Sequence, residues 1–338
     1  MPSWMPFWPA DQFHHIDTQP GPVPGFLQGR TVSQITAKVI EDSISSSAKR
    51  LVTMQLTYPR FIHAEAKTHR VLSISSEEAV LLTQDDGFMS DPNLSRNASS
   101  SRAIPVAKML EQVRNNPAMP VHWGANQPGM QAAVELTGAD LMMTKAEWLS
   151  AAGSAASHAE IMMERGAHKQ VVNRILEPFQ LMHVIVTASE WDNFFELRNH
   201  PDAQPEIRAL AIAMQEAMNE SKEITYYRSS GDIQSSVNWH LPYVTAEERL
   251  KHPFNPRHLA KLSAARCARV SFLNHDGTTP VEEKDIALYD MLVGSRPLHA
   301  SPVEHQAFPD DLEMSGHLWG NFKGWVQHRK LVENEIGA

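Results

Sequence analysis

The run Asn97-Ala-Ser-Ser-Ser101-Arg102 sets three hydroxyls beside a guanidinium within four positions. Such a turn offers N–H and O–H donors plus a bidentate cation, which suits a phosphate or a carboxylate. A solvated serine loop has the same composition, so the run alone decides nothing. Asn173-Arg174-Ile-Leu-Glu-Pro178 and Trp191-Asp-Asn193-Phe-Phe-Glu-Leu-Arg198 each place an arginine among apolar residues. On a helix, Trp191, Phe194 and Arg198 share one face. An arginine there either packs over aromatic rings or is held rigid to meet a ligand.

Other chemistries fail on composition. His63-Ala-Glu65 is half of a zinc deaminase signature, and the single cysteine, Cys267, cannot supply the required Cys-x-x-Cys half. That cysteine lies between Arg266 and Arg269, where a lowered thiol pKa competes with plain buried packing. His299 and His305 lack metal-motif spacing and read as core or loop histidines. There is no G-x-G-x-x-G and no Walker A run, hence no Rossmann or P-loop expectation. A net charge of −9 argues against a nucleic-acid partner. It leaves room for a small anion gripped by a few local arginines. With one cysteine, no signal-peptide pattern and no apolar run of about 20 residues, the expectation is a cytoplasmic protein without a membrane partner.

These residues must be positioned by regular elements. Residues 1–30 hold six prolines and read as an extended N-terminal arm, leaving 31–338 as a single catalytic domain. Residues 31–40 and 51–58 alternate apolar and polar, which predicts strands. Helical spacing follows over 61–72. Residues 74–96 are polar, with Asp85-Asp86-Gly87, and read as an inserted loop. Residues 139–166 predict one or two helices stopped at Gly166, and 205–219 a helix with proline in its first turn. Residues 222–260 read as an irregular connection, broken by Pro242, Pro253 and Pro256. Helices are expected near 282–292 and 318–335.

Taken together, the motifs resemble one family, the flavin-dependent thymidylate synthases. Its signature runs Arg-His-Arg, two residues, Ser, one residue, Asn, two residues, Ser, one residue, Arg-Tyr. Here Thr68-His69-Arg70-Val-Leu-Ser73 and Asn97-Ala-Ser-Ser100-Ser-Arg102-Ala103 match its two halves, split by the insertion. Asn173-Arg174-Ile-Leu-Glu-Pro178 resembles the family's Ala-Arg-x-x-Leu-Pro element. Asn193-Phe-Phe-Glu-Leu-Arg198 with Ala203-Gln204-Pro-Glu206-Ile207 resembles its Asn-x-x-x-Leu-Arg…Ala-Gln-x-Glu-Ile element. Cys267-Ala-Arg269-Val-Ser271-Phe272 and His299-Ala-Ser301-Pro-Val-Glu304-His305 resemble segments that precede the signature in the family but follow it here. A circular permutation is implied, with 318–335 standing in for the helix that leads into the signature.

The resemblance implies an α/β fold, a twisted β-sheet flanked by helices, in a homotetramer whose sites draw on several subunits. It implies FAD as cofactor, with methylenetetrahydrofolate and NADPH as co-substrates and dUMP as the nucleotide methylated at C5. His69, Arg70, Asn97, Asn193 and Ser301 are then FAD contacts. Ser100, Arg102 and Arg174 hold the nucleotide, Glu65 lies near the base, and Arg198 polarises the pyrimidine. Thr68 replaces the first signature arginine, which Lys67 or Arg96 would have to offset, and Ala103 replaces the final tyrosine. These departures leave open a hydroxymethyl product, a dCMP substrate or a non-catalytic member.

Overall fold

Two long strands, β1 (Thr36–Ser45) and β2 (Arg50–Pro59), form an antiparallel hairpin that begins the fold. The computed structural model describes residues 34–63, 94–99, 103–129, 131–222, 224–226, 235–274, 277–295, 298–313 and 315–332. The arm at 1–30, the helical spacing beyond His63 and most of the 74–96 insertion lie outside the described residues. The end of that insertion does not hold as a loop: Leu94 to Arg96 belong to β3 (Leu94–Ala98), which pairs with β4 (Leu181–Ala188). With β5 (Ile224–Tyr226), the sheet order is β3-β4-β2-β1-β5, antiparallel except for the parallel β1–β5 pair.

Alternation explains how the sheet acquires two different faces. Val52, Met54, Leu56 and Tyr58 of β2 and Met182, Val184 and Val186 of β4 enter one core. Covering that face are α4 (Asp192–Arg198) and α5 (Pro205–Glu220), through Phe194, Phe195, Ile207, Leu210 and Met214. Each such side chain, moved out of water, contributes roughly 1.5–3 kcal/mol. In β1 the register shifts between Val39 and Glu41. This bulge exchanges faces: Ala37 and Val39 pack on the first core, whereas Ser43 bonds His240 on the other side.

The second face meets a layer from the C-terminal third. It comprises α7 (Pro256–Arg269), α8 (Glu282–Val293), a 3-10 turn at Ser301–Glu304 and a small hairpin, β6 (Ala307–Pro309) with β7 (Trp325–Gln327). A separate cluster joins α1 (Val106–Asn115) to the 27-residue α2 (Gly138–Glu164) and to α3 (Lys169–Ile175). Gly166, at φ +80, follows α2 where a left-handed residue favours glycine.

Two expectations change. Residues 318–332 are not the helix expected over 318–335, because Gly320 and Gly324 take positive φ and the chain turns into β7 and a 3-10 segment, His328–Leu331. A Cβ on Gly320 would collide with the Gln327 side chain. Nor is 222–260 simply irregular. It contains α6 (Ala246–Lys251), started by a Thr245/Glu248 capping box, and the start of α7. Pro256 occupies the first turn of α7 behind the Asn255 cap, where its missing N–H costs nothing.

Candidate functional site

Strand β3 lies at an edge of the sheet and carries Asn97. The Asn97 Nδ2 donates to the carbonyl oxygens of Cys267 (2.8 Å) and Ala268 (3.2 Å), and Ser301 Oγ donates to Asn97 Oδ1 at 3.4 Å. Asn97 of the signature and the family-like segments at 267–272 and 299–305, 170 and more residues apart, therefore meet at one side chain. Next to it, Gln327 Nε2 donates to Ser95 Oγ (3.1 Å) and to the Glu304 carbonyl (2.9 Å). The Asn97 amide hydrogens are engaged by backbone, so its first task is to fix β3 against the end of α7. Cys267 is fully buried and burial pushes its thiol pKa up. It is a packing residue.

Arg96 is the cation of this edge. Its Nη1 is buried without a hydrogen-bond partner, and burial lowers its pKa while the nearby Tyr58 and Glu304 oppose that shift. Tyr58, raised by burial, bonds His63 Nδ1 through its hydroxyl at 2.9 Å. Glu304 is raised by burial too, and Arg329 pairs with it. Tyr58, Glu304 and Arg329 were not singled out by sequence as site residues. A tyrosine ending an alternating strand carries no pattern of its own, although Glu304 sits within a motif already noted.

A second group gathers beyond the far end of β2. Arg174, largely exposed, pairs with Glu177 at 3.2 Å, and Arg60 pairs with the same carboxylate at 2.9 Å. The neighbouring Asn173, buried in α3, donates from Nδ2 to the Ile104 carbonyl (3.1 Å), and Lys169 Nζ donates to the Ala103 carbonyl (3.1 Å). The chain just after the signature is thus tied to the helix that carries Arg174. Ser99 N–H donates to the His183 carbonyl, at the same end of the sheet as Tyr58.

Arg198 ends α4, partly buried, and desolvation lowers its pKa. Among the described residues no hydrogen bond joins it to Asn97. Asn193, five residues earlier, has a buried Nδ2 without a partner. Glu65, His69, Arg70, Ser100 and Arg102 lie outside the described residues. The structure therefore brings Asn97 and Ser301 together, and among its buried donors without partners are Arg96 Nη1 and Asn193 Nδ2, which a polar ligand could satisfy.

The thymidylate synthase complementing protein family, that of the flavin-dependent thymidylate synthases, matches residues 30–221, more than half of the chain. The chain belongs to this family. Membership supports an enzyme that modifies C5 of a pyrimidine nucleotide. The family match ends before 267–305, the segments that Asn97 fastens to β3. No curated protein matches the sequence. Among solved structures, the chain is similar to the UMP/dUMP methylase PolB from Streptomyces cacaoi bound with 5-Br dUMP, at 13% identity and a TM-score of 0.40. That similarity covers 56% of this chain and 91% of the other. The same methylase bound with 5-Br UMP gives 14% identity and a TM-score of 0.39, covering 56% and 90%.

Proposed function

We propose that the protein is a flavin-dependent thymidylate synthase that methylates dUMP at C5, using methylenetetrahydrofolate, FAD and NADPH. One observation supports this most: family-like segments from opposite ends of the sequence meet at Asn97, as a working site in a permuted chain requires. Reduced FAD, when bound, supplies the hydride. The residues present fit a flavin, since Arg96 Nη1 and Asn193 Nδ2 are buried donors lacking acceptors. With His69 and Arg70 they would hold it, and Arg96 would offset the arginine missing at Thr68. Asn97 and Ser301 would line the same wall, Asn97 through the remaining lone pair of Oδ1.

Arg174, Ser100 and Arg102 would grip the nucleotide phosphate, a bidentate task suited to guanidinium. Arg198 would face the pyrimidine carbonyl edge and stabilise negative charge as it develops on the ring. Partial burial removes competing water and strengthens that field. Glu65 would contact the base edge. The family resemblance implies a homotetramer whose sites are shared between subunits. Support for assembly comes from α2, where Met142, Met143, Leu149 and Ile161 are all exposed apolar side chains.

The deciding experiment is a visible spectrum of the purified protein with added FAD, followed by turnover with dUMP, methylenetetrahydrofolate and NADPH. A flavin spectrum and a thymidylate product support the proposal; a protein that stays colourless overturns it. Product mass separates methyl from hydroxymethyl transfer, and dCMP in place of dUMP tests the base.

A further inference from the structure

Away from the β3 edge, three ligand-type side chains converge at the corner between α6 and α7. His252 caps the C-terminus of α6, His258 stands in the first turn of α7, and Glu282 begins α8. Both imidazoles point a ring nitrogen at one carboxylate oxygen: His252 Nε2 lies 3.0 Å and His258 Nε2 3.4 Å from Glu282 Oε2. The rings are 4.5 Å apart between centroids, and the three donor atoms all lie within 4.8 Å of one another. We propose that His252, His258 and Glu282 form a divalent transition-metal site, of the kind zinc fills, that pins the α6–α7 corner to the start of α8.

The distances suit a bound metal. Zinc bonds of about 2.0–2.1 Å in a tetrahedron place neighbouring donors about 3.3–3.4 Å apart. Two of the three edges already have nearly that length, and the third is no longer than 4.8 Å. Two histidines and a carboxylate are a donor set that zinc accepts with an open fourth position for water. The side chains are only about a fifth to a quarter exposed (22%, 27% and 21%), so the fourth position has access without dispersing the ligands. Local geometry holds each ligand: the His252 N–H donates to the Glu248 carbonyl, and the His258 N–H to Asn255 Oδ1. Lys251 Nζ binds the other carboxylate oxygen, Oε1, at 2.6 Å and so orients Glu282 while leaving Oε2 to the metal. A divalent cation would engage both imidazole nitrogens and the carboxylate oxygen at once.

The test uses full-length protein stripped with chelator and titrated with Co²⁺ alone, then with Zn²⁺. Wild type is expected to show four-coordinate cobalt d–d bands that zinc abolishes at one equivalent, with a rise in Tm on metal addition. His258→Gln and Glu282→Gln should each weaken cobalt binding by at least about 100-fold. Far-UV circular dichroism verifies that both variants fold; if one does not, the other decides. Absence of the bands in wild type, or equal bands and affinity in wild type and the folded variants, overturns the proposal. The readout is independent of flavin and of turnover.

Discussion

Arg96 holds a partly buried charge, with one guanidinium nitrogen, Nη1, buried and left unbonded. An incompletely paired buried cation is destabilising unless a ligand completes it. On the proposed function, Arg96→Met should leave the apoprotein Tm unchanged or raised, while FAD affinity falls at least about tenfold, the equivalent of one charge-assisted hydrogen bond. Thermal melts and flavin-fluorescence titration measure the two effects separately. Arg198 makes the converse case. Its guanidinium is partly buried and joined to no carboxylate among the described residues, so Arg198→Gln should cost about 100-fold or more in kcat with circular dichroism unchanged. Wild-type turnover in that variant would remove Arg198 from the site.

At the scale of elements, α7 and α8 are joined by buried ions. Arg266 donates from Nε to Asp285 Oδ2 (2.8 Å), from Nη1 to the Tyr243 carbonyl (2.8 Å) and from Nη2 to Glu248 Oε1 (2.5 Å), while Arg269 Nη1 reaches Asp285 Oδ1 (2.7 Å). Arg266 and Asp285 are both buried. Removing one partner from such a network strands the other charge. Asp285→Ala is therefore expected to destabilise by about 3–5 kcal/mol, read from urea unfolding. Gly166 gives a smaller effect of a different origin. At φ +80 a Cβ is strained, so Gly166→Ala should cost about 1–2 kcal/mol even though nothing lies nearby to clash.

Across the whole molecule, the two layers are joined by a buried polar chain. Ser43 bonds His240 Nδ1 (2.6 Å), His240 Nε2 bonds Thr53 (2.7 Å), Thr53 bonds Thr187 (2.6 Å), and Thr187 bonds His305 Nδ1 (2.8 Å). Burial holds His305 down to about 3 and His328 down to about 4, so both fold as neutral imidazoles. Their unfolded forms take up a proton near 6.5, whereas the folded forms resist it until far lower pH. Stability should then be full above pH 6.5 and fall as pH drops through 6 and 5 toward 4, each histidine contributing up to about 1.4 kcal/mol per pH unit. Urea midpoints at pH 7.5, 6 and 5 measure this, and a flat profile over that range would contradict it.

Sequence by itself reached β2, the first half of β1, α2, α5 and α8, because alternation, an alanine-rich run and a proline-led amphipathic run are local patterns; β1 starts at Thr36 and runs on to Ser45, past the 31–40 expected. It also reached the family, since the spacings around Arg174 and Arg198 are short local motifs inside the matched residues 30–221. What it missed was set by long-range packing. Pro256 looked like a breaker until Asn255 capped it as the first turn of α7, and 318–335 looked helical until Gly320 and Gly324 adopted positive φ against the hairpin. Asn97 was legible as a member of the signature, but not as the side chain that bonds residues 170 positions later. The burial that strips Arg96 of water, and the convergence of His252 and His258 on Glu282, arise only when distant segments share one volume. Desolvation and donor geometry belong to that volume and to no stretch of chain.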